Sequence, residues 1–122
     1  MRVTVEPAQD RGAAVRRLLP VERQSIDHST AEQMAEGCEL FDVRVGDLIT
    51  GALAVDFTKP TAWVNAVADQ SGQPAAAVAA LEAIARARGH RRIGFSTKRP
   101  GMLRKMLAMG YGVQAAHIIK DL

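Results

Sequence analysis

The chain has 122 residues, of which 48% are hydrophobic and 24% are charged, which is the size and composition of one compact domain. Its single cysteine, Cys38, excludes an intramolecular disulfide and a cysteine-rich zinc site. The opening residues contain no signal-peptide core, and the longest apolar run, residues 74–81, is too short to span a bilayer. We therefore expect a cytoplasmic domain with no membrane partner.

Charge is distributed unevenly along the chain. Residues 1–82 carry twelve acidic and seven basic side chains, whereas residues 83–122 carry one acidic and nine basic ones. A basic segment of this kind favours contact with the phosphates of a nucleotide cofactor or of nucleic acid, or is an ordinary solvated face. Because only 4% of the residues are aromatic, stacking of single-stranded bases has little support. Nucleic acid is therefore the least expected partner.

A strand and a capped helix open the chain. The alternation of Val3 and Val5 with polar residues predicts a half-buried strand that ends at Pro7. Asp10 is in the position of an N-cap for a helix that we expect to run as far as Pro20.

A second short helix and a meander follow. Thr30 and Gln33 have capping-box spacing, and Gly37 lies where a left-handed C-cap would end the helix. Gly46 and Asp47 form a tight-turn pair between two β-like runs. We expect three antiparallel strands here, over Leu40–Val45, Leu48–Phe57 and Thr61–Ala68.

The last third predicts two further helices and two further strands. Pro74 suits the first turn of an alanine-rich helix over Ala75–Gly89. Three further elements follow this helix in chain order: a strand at Arg91–Thr97, a helix between Pro100 and Gly110, and a final strand at Val113–Lys120. This order predicts an α/β fold, with one domain over residues 1–122 and helices packed on a sheet.

Three segments resemble the GNAT superfamily of acyl-CoA-dependent N-acyltransferases. LEAIARARGHRRIGFST (Leu81–Thr97) and LRKMLAMGYGV (Leu103–Val113) resemble the family's cofactor helix, the strand after it, and a later helix ending in Gly-Phe. VTVEPAQDRGAAVRRLL (Val3–Leu19) resembles its first strand and helix. The resemblance implies a GNAT-like fold, a central mostly antiparallel sheet flanked by helices, with acetyl-CoA as cofactor.

The family's cofactor loop has Arg or Gln, two residues, Gly, one residue, then Gly or Ala. Counting from Gly89 places Asp69, Gly72 and Pro74 at the three defined positions, so that only Gly72 fits. A carboxylate at Asp69 would repel a pyrophosphate, and Pro74 lacks the N–H that a phosphate-binding residue donates. The structural alternative is a plain turn that opens the helix.

The resemblance implies four cofactor-binding residues. The backbone N–H groups of Ser71, Gly72 and Gln73 would face the pyrophosphate at a helix N-terminus. From its charge and expected position, Arg99 or its neighbour Lys98 would reach the adenosine phosphate or lie near the helix that holds the pantetheine. Replacing Arg99 with Ala should then weaken the binding of coenzyme A and flatten its salt dependence.

No catalytic residue is assigned by the sequence. The family often supplies a tyrosine acid four residues before the Gly of its Gly-Phe pair, and that position here is Met106, while Tyr111 matches the structural Phe. The strand at residues 61–68 offers Asn65 but no carboxylate or histidine. Other base candidates, none tied to the cofactor by spacing, are Glu32, Glu36, Asp56 and His28. His90 and His117 are expected to be structural or surface residues.

Two further kinds of site are not expected. Cys38 has no neighbouring histidine that would activate it as a nucleophile. No pair of histidines or carboxylates has metal-ligand spacing. We therefore expect no metal site.

Three functions remain open, of which nucleic-acid binding through the basic residues between 86 and 105 is the least expected. The first is an N-acetyltransferase that acts on an amine of a small molecule or a protein, with a proton path through water or the substrate. The second is a non-catalytic binding or structural protein, since LITGALAVDFTKPTAWVNAVADQSG (Leu48–Gly72) also resembles the meander of small GNAT-like bacteriophage proteins, some of them virion-associated. A homodimer through open sheet edges is compatible with either function.

Overall fold

The computed structural model describes residues 2–24, 29–95, 104 and 107–111. The described elements, in chain order, are β1 (Val3–Pro7), α1 (Arg11–Arg17), a 3-10 helix (Leu19–Gln24), α2 (Ala31–Ala35), β2 (Glu39–Val45), β3 (Leu48–Asp56), β4 (Thr61–Asp69), α3 (Pro74–Ala87) and β5 (Arg92–Phe95). The predicted helix core residues Leu103 and Met106 and the predicted strand Val113–Lys120 lie outside the described residues.

The five strands form one mixed sheet in the order β1-β2-β3-β4-β5. The pairs from β1 to β4 are antiparallel, and β4 pairs with β5 in parallel. Helix α3 makes the crossover between that parallel pair, as a parallel connection requires. The predicted α/β class, with a mostly antiparallel sheet flanked by helices, is confirmed.

Both faces of the sheet are covered by helices, because the strands carry apolar side chains on both sides. Phe41 and Val43 of β2 point to the face that packs against Leu81 of α3. Leu40 of β2 points to the opposite face, where it packs with Leu18 and other residues of the segment from α1 to α2. The sheet is thus the middle layer of the described part of the chain.

Local signals in the sequence fix several element ends. The Asp10 side chain accepts a hydrogen bond of 3.1 Å from the Ala13 N–H and caps α1. Thr30 and Gln33 form both halves of a capping box at the start of α2. The expectation that the first helix runs as far as Pro20 is wrong, because α1 ends at Arg17 and the 3-10 helix then carries the chain through Pro20.

None of the described helices is long and apolar enough to cross a membrane.

Candidate functional site

The described parts of β4 and β5 pair along only part of β4. Their register runs from Thr61 with Arg92 to Val64 with Phe95. Beyond Val64, β4 continues to Asp69, and the described residues provide no partner strand on its β5 side.

A β-bulge occurs where the described pairing with β5 stops. Ala54 pairs with Ala66 and Val55 pairs with Val64, so Asn65 is the extra residue of β4. Its side-chain amide lies 3.2 Å from the Met34 carbonyl oxygen and 3.1 Å from the Cys38 sulfur. A bulge redirects one side chain and disrupts the ladder locally, which is common beside functional sites.

A second bulge aims Thr50 of β3 at the end of β4. Gly51 pairs with Val43 and Ile49 pairs with Arg44, which leaves Thr50 without a partner in the ladder. The Thr50 hydroxyl lies 3.0 Å from Asp69 Oδ1 and 3.3 Å from the Val43 carbonyl oxygen. A hydroxyl has one proton to donate, and the closer, charged acceptor receives the stronger bond.

Asp69 begins a hydrogen-bonded loop that leads to α3. Its carboxylate accepts a bond of 2.9 Å from the Ser71 N–H and one of 2.6 Å from the Ser71 hydroxyl. The Ser71 hydroxyl oxygen in turn accepts a bond of 3.1 Å from the Gln73 N–H. Gly72 has φ +73°, a left-handed conformation that favours glycine. The side chains of Asp69 and Ser71 thus hold the loop of residues 70–73 through these hydrogen bonds.

The N-terminus of α3 has no side-chain cap. Gln73 is the N-cap residue and its side chain makes no capping bond, while Pro74 at the first position has no N–H. The first backbone bond of the helix runs from the Ala77 N–H to the Gln73 carbonyl oxygen. The N–H groups of Ala75 and Ala76 therefore remain orphan donors of the first turn, at the positive end of the helix dipole.

These donors fit a phosphate group in part. Of the three predicted loop donors, the Ser71 N–H and the Gln73 N–H are used within the loop, so the Gly72 N–H is the one left for a ligand. Gly72, Ala75 and Ala76 are thus the residues at this end of α3 whose N–H groups are not used by the loop or by the helix. Arg99, the fourth predicted cofactor-binding residue, lies outside the described residues, as does Lys98.

Tyr111 packs against α3. Its hydroxyl donates a bond of 3.1 Å to Glu82 Oε2, and its ring makes an edge contact with Phe95, with 5.5 Å between the ring centroids. Burial, with the adjacent Glu82 carboxylate, raises the pKa of Tyr111 above its ordinary value. The hydroxyl is therefore committed to a structural bond and is a poor proton donor. Met106, at the family's acid position, lies outside the described residues.

The described base candidates lie on β3 and in or after α2, outside the loop of residues 70–73. Asp56 ends β3 opposite Trp63, at the other end of β4 from Asp69, and hydrogen bonds from Thr58 lower the pKa of its carboxyl. Glu32 and Glu36 are exposed residues in and after α2. Glu32 lines a groove of about 650 Å³ between α1 and α2, whose lining includes no residue of β4 or β5. His28 lies outside the described residues.

Cys38 is buried under α2. Its thiol lies 3.4 Å from the Met34 carbonyl oxygen, and burial, followed by the charge of Asp56, raises the pKa of the thiol. A protonated, buried thiol is a poor nucleophile. Within the described part of the chain, no group of three or more His, Cys, Asp or Glu residues could hold a metal ion.

The loop of residues 70–73 is predictable from the sequence, whereas the bulges at Thr50 and Asn65 are not. Neither the apolar alternation nor the turn residues mark a register shift, because a bulge is a property of two paired strands. Gly51, next to Thr50, is the one available signal, since glycine in a strand often marks a bulge or a close backbone approach.

No family model matches the sequence, and no curated protein matches it either. Solved structures do match. A ribosomal-protein-alanine N-acetyltransferase from Brucella melitensis biovar Abortus 2308 aligns with a TM-score of 0.65 and 16% identity, covering 99% of this chain and 100% of that one. A GNAT family acetyltransferase from Elizabethkingia anophelis with acetyl-CoA bound aligns with a TM-score of 0.63 and 16% identity, covering 95% of this chain and 78% of that one.

A third neighbour has another description. A transcriptional regulator from Bacillus halodurans C-125 aligns with a TM-score of 0.63 and 21% identity, covering 99% of this chain and 100% of that one. Identities this low establish the architecture and leave the activity to be argued from the site. The chain therefore has the fold of the GNAT acetyltransferases.

Proposed function

We propose that the chain binds acetyl-CoA at the edge where β4 and α3 meet and transfers its acetyl group to an amine. The observation that carries this proposal is the uncapped N-terminus of α3, in a chain whose fold aligns with that of an acetyltransferase with acetyl-CoA bound. The N–H groups of Ala75 and Ala76 are orphan donors of its first turn, and helix N-termini of this kind bind anions.

The N-terminal end of α3 would bind the pyrophosphate. The N–H groups of Gly72, Ala75 and Ala76 would donate hydrogen bonds to it, and the helix dipole favours negative charge there.

Acetyl-CoA supplies an acetyl group already activated as a thioester. The chain would hold it in a fixed orientation beside the amine, which favours a direct attack by proximity. Tyr111 is bonded to Glu82 and does not act as the acid. Attack of the amine nitrogen on the thioester carbon would break the C–S bond, and the proton lost by the amine would reach the departing thiolate of coenzyme A through water or through the substrate itself.

A non-catalytic binding protein is the second candidate. The observation that favours it is the loss of donors from the loop, because Ser71 and Gln73 use their N–H groups internally and Pro74 has none. On this reading the fold serves as a scaffold for another partner, in the cytoplasm or, if the protein is phage-encoded, in a virion.

Calorimetric titration with acetyl-CoA, followed by an assay of thiol release with a panel of amines, separates these functions. Saturable micromolar binding with amine-dependent release of coenzyme A supports the transferase. Binding without release supports the second candidate. An absence of binding at millimolar acetyl-CoA contradicts the proposed cofactor site.

A helix variant ties any binding to the N-terminus of α3. Ala76→Asp places a carboxylate in the first turn, where it stabilises the helix but repels a phosphate. We expect unfolding stability to hold or rise while affinity for acetyl-CoA falls by about tenfold. Ala79→Asp makes the same change at an exposed position of the second turn and should affect affinity far less.

A further inference from the structure

The hydrogen-bond donors of the loop already bind an anionic group, the carboxylate of Asp69. The Asp69 carboxylate accepts bonds from the Thr50 hydroxyl, the Ser71 N–H and the Ser71 hydroxyl, at 3.0, 2.9 and 2.6 Å. A backbone N–H and two hydroxyls converging on one carboxylate are donors of the kind that bind a phosphate oxygen.

The carboxylate of Asp69 has no cationic partner within the described part of the chain, since none of the described lysines and arginines forms an ion pair with it. Its three described donors are neutral groups, and the residue is half-buried. The carboxylate therefore lies in the turn that leads to the donors of Gly72, Ala75 and Ala76.

The Thr50 bulge shows that the arrangement extends beyond the loop. Thr50 leaves the ladder between Gly51 and Ile49, and its hydroxyl reaches from a neighbouring strand to the end of β4. The Gln70 N–H also donates a bond of 3.0 Å to the Thr50 carbonyl oxygen. Two strands thus cooperate to hold the carboxylate in place.

We propose that Asp69 is the residue that sets the affinity of this edge for phosphate-bearing cofactors, by occupying the loop donors and placing a like charge beside the open end of α3. This inference rests on the proposed function and deepens it. The chain would bind coenzyme A through the remaining donors with an affinity that Asp69 holds down. Removing the charge should then improve binding without adding any new contact.

Asp69→Asn is the variant that tests the proposal. The amide keeps the shape of the side chain and its Oδ1 acceptor for the Ser71 N–H and the Thr50 hydroxyl, and the Ser71 hydroxyl can accept from the new amide N–H. Its charge is gone. Asp69→Ser, which also lacks the charge, is read in the same way if the Asn variant does not fold.

The probes are coenzyme A, which carries phosphates, and pantetheine, which carries none, each titrated by calorimetry. We expect Asp69→Asn to bind coenzyme A about tenfold more tightly than the unaltered chain at low salt, with a smaller gain at high salt. Affinity for pantetheine should stay within about twofold, because a neutral probe has no charge for Asp69 to repel.

Two matched controls separate charge from loop geometry. Asp56→Asn removes a carboxylate that is held by Thr58 in a similar turn at the end of β3, beside the start of β4, and it should not change the affinity for coenzyme A. Thr50→Val removes one donor to Asp69 but leaves the charge, and it should give no gain in affinity.

Three results would overturn the inference. Unchanged or weaker binding of coenzyme A by a folded Asp69→Asn variant, while the unaltered chain binds, would show that Asp69 only shapes the loop and would leave the proposed function standing. An equal gain for pantetheine would point to a reshaped loop. If neither the unaltered chain nor the Asp69→Asn variant binds coenzyme A at millimolar concentration, the proposed function fails, and the inference fails with it.

Discussion

The two ends of α3 are built in opposite ways. At the C-terminal end, the His90 N–H donates to the Ala85 carbonyl oxygen and the Gly89 N–H to the Arg86 carbonyl oxygen, both at 3.0 Å. Gly89 has φ +86°, as a left-handed helix end requires. At the N-terminal end, the described residues offer no side-chain cap, and the first residue is Pro74.

Side chains also close the C-terminal end. The Arg88 guanidinium lies 4.5 Å from the centre of the Phe57 ring and 5.7 Å from that of Phe41, and it pairs with the Glu39 carboxylate. His90 packs on Phe57 with 5.3 Å between ring centroids. This end is stabilised by packing, whereas the other end keeps unsatisfied donors.

The difference shows which end has a structural role and which is available for binding. A helix end whose backbone groups are satisfied internally adds to stability, and one whose donors are left open is suited to an anion. Changes at the C-terminal end should therefore alter stability alone. Changes at the N-terminal end should alter binding.

The largest stability effect is expected at Gly51, beside the loop. A Cβ there would collide with the Ala68 carbonyl group and would lie 2.7 Å from the Asp69 Cα. These are backbone atoms that cannot move aside, so Gly51→Ala should lower the free energy of unfolding by about 3 kcal/mol, as measured by urea denaturation.

Gly12→Ala is the matched control for that change. Gly12 lies in α1, and the nearest atom to its added Cβ is Asp10 Oδ1 at 3.4 Å. Alanine has a higher helix propensity than glycine, so this variant should raise the free energy of unfolding by about 0.5 kcal/mol. Equal losses at both positions would contradict the close approach of β3 to β4 at Gly51.

A smaller loss is expected at the closed end of α3. Arg88→Ala removes the cation from two aromatic rings and breaks the pair with Glu39, which should cost about 1 kcal/mol of unfolding free energy. Affinity for coenzyme A should not change. Arg91→Ala, which removes an exposed arginine three residues later, should leave both quantities unchanged. A loss of binding in the Arg88 variant would contradict the division between the two ends.

The smallest effect is expected at Tyr111, which packs on the middle of α3. Tyr111→Phe removes the bond to Glu82 and should cost about 0.5 kcal/mol at neutral pH. The rate of acetyl transfer should stay within about twofold of the unaltered rate, because the account gives this hydroxyl no part in proton transfer. A large loss of rate with intact binding of coenzyme A would assign it one.

Tyr111 also predicts a dependence on alkaline pH. The folded state holds the phenolic proton to a higher pH than the unfolded chain does, because burial and Glu82 raise the pKa. Stability should therefore fall as the pH rises above about 10, and Tyr111→Phe should flatten that fall. Since this is the only tyrosine of the chain, the absorbance of tyrosinate reports it directly. Equal titration midpoints in the folded protein and in urea would contradict the burial of this group.

Most of the described fold could be predicted from local signals. Asp10, Thr30 and Gly37 mark helix ends through the chemistry of capping, and Gly46 marks the hairpin turn with φ +60°. Alternation of apolar residues predicted the meander that became β2, β3 and β4. Each of these signals depends on a few neighbouring residues, which is why the sequence alone reveals them.

The site depended on pairings that no single segment contains. The bulges at Thr50 and Asn65 appear only when two strands are placed in register. The sequence did raise the charge of Asp69 as unfavourable to a pyrophosphate, but the donors that hold it come partly from another strand.

The central claim is that phosphates bind at the open end of α3. The most direct test is to titrate the isotope-labelled protein with coenzyme A and to follow every backbone amide by NMR. We predict the largest shifts at Gly72, Ala75 and Ala76, with small shifts at Gly89 and His90. Shifts concentrated at the closed end of α3 or in the groove between α1 and α2, or no shifts at millimolar coenzyme A, would contradict the account.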